Sequence, residues 1–393
     1  MTRRRCRVTT VVLAVALSGV VGSPAARQRE ASVVINAQRM IDVVAGRAID
    51  NPRIVIEGGR IVAAGPAAAV AVPANASVVD LPSMTVLPGL IDAHVHLTLG
   101  GDPAANARAT LEAGFTTVQD LGAAAYSNVR LREAIKARKI PGPRVVASGP
   151  WLGISGGICD FNGIGVRGAE AFRQRVRTDV EQGVDLIKVC VTGWLAEAFT
   201  APSKYEISDA ELSAAIEEAH AHQKRVAVHA ISEGGIDAAV RFGADLVVHG
   251  GFTSSRTVAI MKQRGILQLP TLFSFAGGKP EALRALQDHL RGAVAAGLPI
   301  AFGTDAGVIP HGENAREFEH LAAIGLDPRA AIRTATVSAA AAVGLSKDIG
   351  VLSPGRIADV IGVVGNPLDD VRVLQKVQFV MKEGAIVKRP TGK

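Results

Sequence analysis

Aromatic residues are scarce in this chain. Its 393 residues include 2 Trp, 2 Tyr and 11 Phe, or 4%. So sparse a supply argues against a stacking surface for single-stranded nucleic acid. Cysteine is scarcer still, with three in all. Cys6 lies in the N-terminal segment and is not placed like a lipid-anchor cysteine. Cys159 and Cys190 are far apart in sequence, which carries no pairing information. The expectation is two ordinary buried thiols. Beyond the N-terminus no run reads as a membrane span, and there is no solenoid-type repeat or low-complexity tract.

What is present is mostly small and apolar. Hydrophobic residues make up 48% and glycine contributes 42 positions. That composition supports a sizeable core and tight α/β packing, and excludes disorder as the general state.

The first 25 residues differ from the rest. Arg3, Arg4, Arg5 and Arg7 precede an apolar run from Val8 to Val21, and Ser23-Pro24-Ala25 offers a small-residue cleavage site. This pattern is that of a secretory signal peptide, and the run is shorter than the roughly 20 residues that a bilayer requires. The chain is therefore expected to be exported, to the periplasm or beyond. An oxidising compartment permits, without requiring, a Cys159–Cys190 disulfide. The whole chain carries 43 basic and 36 acidic residues. Removal of residues 1–25 takes four arginines and no acid, leaving about +3, so the high isoelectric point gives no reason to expect a nucleic-acid partner.

Residues 26–86 and 347–393 read as short strands and turns. Ser32–Ile35, Arg53–Ile56 and Arg60–Val62 are β-branched runs at one end; Ala358–Ile361 and Val377–Val380 are strand-like at the other. The two ends are expected to pair into one small β-sandwich. Residues 87–346 have a different rhythm, alternating short apolar strands with amphipathic helices. Eight strands are read: Leu90–Leu97, Thr116–Leu121, Arg144–Ser148, Leu186–Val191, Arg225–Ala230, Leu246–Gly250, Ile266–Pro270 and Ile300–Asp305. A helix over Asp209–His222 opens after a Ser208 cap. The fold class is α/β, and eight such units make a (β/α)8 TIM-type barrel.

In such a barrel, chemistry sits at the C-terminal ends of the strands. Strand 1 ends in His94-Val95-His96, whose two imidazoles share a face by the two-residue period. Strand 4 carries Lys188 inside an apolar run, strand 5 ends at His229, strand 6 at His249 and strand 8 at Asp305. A lone strand-end histidine is usually a satisfied polar residue. A lysine in Ile187-Lys188-Val189 is harder to dismiss, because an unpaired buried ammonium is costly. Five strands delivering metal-ligand types to one rim make the case together.

Leu87-Pro-Gly-Leu-Ile-Asp-Ala-His-Val-His96 resembles the opening metal motif of the amidohydrolase superfamily. Ser353-Pro-Gly-Arg-Ile-Ala-Asp359 resembles the return to its small β domain, and Phe302–Gly307 with Pro310–Asn314 is similar to the imidazolonepropionase-like and Xaa-Pro dipeptidase branch. The resemblance implies one metal on His94, His96 and Asp305, a second on His229 and His249, and Lys188 bridging them as a carbamate. The donors suit zinc, with manganese or cobalt able to substitute. It further implies a hydroxide shared by both metals, with Asp305 as general base and then acid.

The mouth loops depart from that branch. Trp194 stands where a second glycine is usual, and Ile158 where many relatives have histidine. Trp194 is read either as a substrate contact or as loop packing, and His311 either as a contact for an anionic substrate group or as a loop support. His220, His222, His289 and His320 fall on helical patterns and are assigned to surface or packing.

The implied activity is hydrolysis of an amide, in a dipeptide, an N-acyl amino acid or a cyclic amide. Esters, lactones or phosphotriesters are the near alternative. A mononuclear deaminase would leave Lys188 without purpose, and a non-catalytic assembly module would not be expected to keep every ligand. The partner is a small molecule; oligomerisation is compatible with all of these readings.

Overall fold

The computed structural model describes residues 32–390. The N-terminal segment read as a signal peptide lies outside them. No described helix is long and apolar enough to cross a membrane.

The two ends of the chain join in a single eight-stranded sheet. From the N-terminal side come β1 (Val33–Asp42), β2 (Arg47–Asp50), β3 (Pro52–Glu57), β4 (Arg60–Pro66) and β5 (Ser77–Pro88). β5 runs parallel to β1. It also pairs antiparallel with a strand from near the C-terminus, Val360–Val364, aligning Leu87 with Ile361 and Val86 with Gly362. Buried residues from both ends, including Ile35, Ile54, Val86, Val360 and Phe379, form one apolar cluster.

The middle is an α/β fold with parallel sheets. One ladder contains β6 (Leu90–Val95), β7 (Phe115–Asp120) and β8 (Arg144–Ala147). The other contains β9 (Leu186–Cys190), β10 (Arg225–Ala230), β11 (Leu246–His249) and β12 (Leu267–Leu269). Most positions on these strands are buried, as expected of parallel strands covered on both faces. The helix Asp209–Ala221 begins where expected: Ser208 and Glu211 form a reciprocal capping box.

The eighth strand differs from the expectation. Residues 300–306 form isolated bridges, not a ladder, with Ile300 opposite Gln268 and Ala306 opposite Val95. Backbone bonds still run to both neighbours: Ala301 N to Gln268 O (3.0 Å) and Ala93 N to Phe302 O (2.9 Å). Asp305 departs from strand geometry with φ of 63°, which interrupts regular pairing. Between β8 and β9 the contact passes through the loop after β8, where Leu152 N donates to Lys188 O (2.9 Å) and Cys190 N to Leu152 O (2.8 Å).

That loop corrects the cysteine expectation. Cys159 and Cys190 are joined by a disulfide, with Cα atoms 6.1 Å apart. The Leu152 bridge lays the loop along β9, and this approach was invisible in a separation of 31 residues.

Candidate metal centre

Each candidate ligand stands at or near the C-terminal end of a parallel strand, where one parallel register sets their heights. His229 on β10 aligns with Cys190 on β9 and with Val248 on β11, one residue before His249. His94, on β6, and His96, just beyond it, point the same way, and their Nε2 atoms are 3.2 Å apart. Asp305 Oδ1 lies 3.3 Å from His94 Nε2 and 3.1 Å from His96 Nε2. These three residues, all buried, bring one ligand atom each within 4.8 Å of one another. The His229 and His249 rings form a second group with centroids 4.6 Å apart, and His249 lies 5.4 Å from His94.

Lys188 lies within electrostatic reach of both groups, and its charge acts on His94, His229 and His249. The side chain is buried, and Nζ has no hydrogen-bond partner. Burial pushes its pKa down to about 7, against a partial pull upward from Asp305. A neutral amine is thus accessible near neutral pH. Burial also lowers the imidazole pKa values, to about 4 for His229 and well below the ordinary range for His94 and His249. Burial alone would raise Asp305, but His94, His96 and His249 outweigh it and hold the carboxylate ionised. His96 goes the other way: burial would lower it, but Asp305 and Asp120 outweigh that and raise it. His94, His229 and His249 are thus held in the neutral donor form that a divalent cation needs, and a cation would displace the proton that His96 shares with Asp305.

The remaining nitrogens show how the rings are aimed. His96 Nδ1 lies 3.0 Å from the Gly122 carbonyl, and His249 Nδ1 lies 2.7 Å from Thr271 Oγ1. Holding Nδ1 leaves Nε2 free to coordinate. His229 Nε2 lies 3.5 Å from Gly193 O. His249, Thr271 and Asp305 all have positive φ, at 69°, 50° and 63°. Such backbone costs about 1–3 kcal/mol per residue and tends to cluster at functional sites. Among the buried atoms without a partner are Lys188 Nζ, Asp305 Oδ1 and His94 Nδ1. Unsatisfied polar atoms on three buried residues of this site fit a cation site better than a finished polar core.

Sequence reasoning gave Asp92 no role. Its Oδ1 accepts from His94 N and Thr304 N (both 3.1 Å), and its Oδ2 accepts from Thr304 Oγ1 (2.6 Å) and Asn314 Nδ2 (2.8 Å). It therefore locks the β6 end to the segment carrying Asp305. Burial pushes its carboxyl up to about 6, although these bonds resist the rise. Its place two residues before His94, on the same face, was the available signal. Trp151 was missed too: its ring lies 5.6 Å from His96, and a Cβ at Gly122 would run into the indole.

Of the two mouth candidates, Trp194 is exposed and sets its ring edge-on to His229 at 6.0 Å. Both His311 nitrogens face protein groups, Thr110 Oγ1 at 3.1 Å and His96 O at 3.3 Å. The helical histidines stand apart from the cluster; His220, for example, faces Asp245 at 3.0 Å.

The chain is similar to known proteins over most of its length. The ochratoxinase of Aspergillus niger is 31% identical over 371 residues, covering 78% of this chain and 76% of that protein. Its crystal structure superposes with a TM-score of 0.82, covering 93% of this chain and 97% of that one. A Xaa-Pro dipeptidase crystallised with methionine in its active site is 29% identical, with a TM-score of 0.83 over 91% of this chain and 100% of its own. Imidazolonepropionase of Sphingopyxis alaskensis is 27% identical over 364 residues, covering 82% of this chain and 88% of that protein. The amidohydrolase family profile matches residues 85–387, a span that contains all six strand-end residues. The chain belongs to the amidohydrolase family.

Proposed function

We propose that this chain hydrolyses an amide bond of a small molecule using two divalent cations. The observation that carries this reading is Lys188: a buried, unpartnered amine within reach of both the His94–His96–Asp305 group and the His229–His249 pair. An isolated buried amine is costly. A carbamate, formed when the neutral amine adds carbon dioxide and releases a proton to solvent, would offer two oxygens sharing one negative charge and could serve both cations. His94, His96 and Asp305 would hold one cation and His229 with His249 the other. Zinc suits this donor set. The cations, when bound, supply Lewis-acid polarisation and make water acidic near neutral pH.

The chain's own residues do the rest. Gly122 O and Thr271 Oγ1 orient the imidazoles, and Asp92 holds the two strand ends in register. Asp305, ionised at neutral pH, takes the proton from water and passes it to the leaving amine. His311 supports the loop after Asp305, and Trp194 contacts substrate. We further read the backbone links through Leu152 and through residues 300–306 as closing an eight-stranded barrel, with the terminal sheet curling into a sandwich around its own core. We also propose export, with which a Cys159–Cys190 disulfide is consistent.

Amide-cleaving relatives favour an amide over an ester: one solved relative is named a Xaa-Pro dipeptidase. The test is a panel of N-acyl amino acids and dipeptides against aryl esters and phosphotriesters, with metal-reconstituted enzyme. Turnover of amides at least tenfold above the others is expected. Cleavage of esters alone would overturn the amide reading.

A further inference from the structure

The chain's few aromatic residues are unevenly placed. Among the described residues, the Phe and Trp side chains that stand exposed are Phe161, Trp194 and Phe199, at 39%, 57% and 43%. All three lie in segments that follow β8 or β9, on the metal-centre side of the strands. Both tryptophans of the chain are at this mouth. Trp151 packs toward His96, with Phe161 edge-on to it at 4.8 Å. Trp194 lies edge-on to His229, in the second histidine group, at 6.0 Å, and Phe199 meets Phe252 at 5.1 Å.

The Phe161 wall is built to hold its position. Cys159 is bonded to Cys190, and the neighbouring Asp160 accepts from Gly156 N and Gly165 N, each at 2.7 Å. Glu206, from the segment after β9, accepts from Ile158 N at 2.8 Å. Apolar surface left exposed beside a buried polar centre marks the place for an apolar ligand group. Aromatic rings beside both histidine groups of the centre favour a flat ring, which gains edge and face contacts that a methyl group cannot make. A preorganised wall binds without the entropy of ordering a loop.

We propose that this mouth selects amides bearing an aryl group next to the scissile bond, the ring lying between the Trp151–Phe161 wall and Trp194. The proposal rests on the hydrolase reading above and names its substrate class. The two tryptophans make it directly observable, because a ring seated there changes their emission whether or not a bond is cut.

The experiment titrates the purified protein with a matched series of N-acyl glycines, from N-acetyl through N-benzoyl to N-(2-naphthoyl), following tryptophan emission and, separately, release of glycine by the metal-loaded enzyme. Saturable emission changes for the aryl members, at least tenfold tighter than for N-acetylglycine, are expected. So is an aryl preference in kcat/KM that falls about tenfold in Trp194→Ala and is largely restored in Trp194→Phe. Equal binding and equal turnover across the series would overturn the aryl inference and leave the hydrolase reading standing. Tight aryl binding sensitive to Trp194→Ala, with no amide cleaved, would overturn the hydrolase reading and leave the aryl site. Neither binding nor cleavage would overturn both.

Discussion

The Nδ1 of His249 lies 2.7 Å from the Oγ1 of Thr271, and both residues adopt left-handed backbone at the ends of neighbouring strands. The contact is what aims His249 Nε2 into the centre. Thr271→Ala should therefore cost 10–100-fold in metal affinity, the usual effect of removing the group that orients a ligand. Thr271→Ser should keep most of it. Metal titration of both variants, with circular dichroism to verify folding, is the check; equal affinity in the two variants would remove the hydroxyl from the account.

The disulfide should stabilise the chain by about 4 kcal/mol, from the closure entropy of its loop. Cys159→Ser should show this as a lower urea midpoint, with a slope that is steeper because the uncrosslinked unfolded chain exposes more surface. It should also shift the emission of Trp151, which shares the loop. A variant with wild-type stability and emission would mean that the cross-link holds nothing in place.

Lys188 gives a pH dependence with a definite sign. Its pKa in the folded chain, about 7, lies below its ordinary value of 10.5. The folded state therefore binds fewer protons than the unfolded state between these limits, and this group's contribution to stability rises with pH across that window. It is fully present above 10.5 and lost as pH falls through 7. Carbon dioxide reacts with the neutral amine, so reactivation of metal-free enzyme by metal should need bicarbonate and should grow as pH passes 7. Reactivation at pH 6 in bicarbonate-free buffer, as complete as at pH 8, would contradict this.

Asp305→Asn keeps the size and one ligand oxygen but removes the basicity. Metal content should stay near that of the parent, while kcat falls by about 10²–10⁴, the range for a general acid–base group. The acid limb of the pH–rate profile should vanish with it. An unchanged rate would assign the proton to another group.

Much of this centre was legible because strand ends are regular. A two-residue period and a parallel register place His94, His96, Lys188, His229 and His249 at one rim whatever the loops do. Asp305 was legible by position, although its strand forms bridges and no ladder. Features that depend on loop paths were hidden. Cys159 meets Cys190 only because Leu152 runs beside β9, and Trp151 reaches His96 only because Gly122 leaves room for the indole. Asp92 and Thr271 act through hydrogen bonds to other segments, which residue patterns do not encode.

The central claim is that Lys188 joins two cation sites into one centre. The direct measurement is metal content per chain by mass spectrometry, in the parent and in Lys188→Ala, each reconstituted with zinc and bicarbonate. The parent should hold two ions per chain, and the variant should lose at least one together with most activity, with short carboxylic acids restoring part of both. One ion per parent chain, or two ions and full activity in Lys188→Ala, would contradict the account.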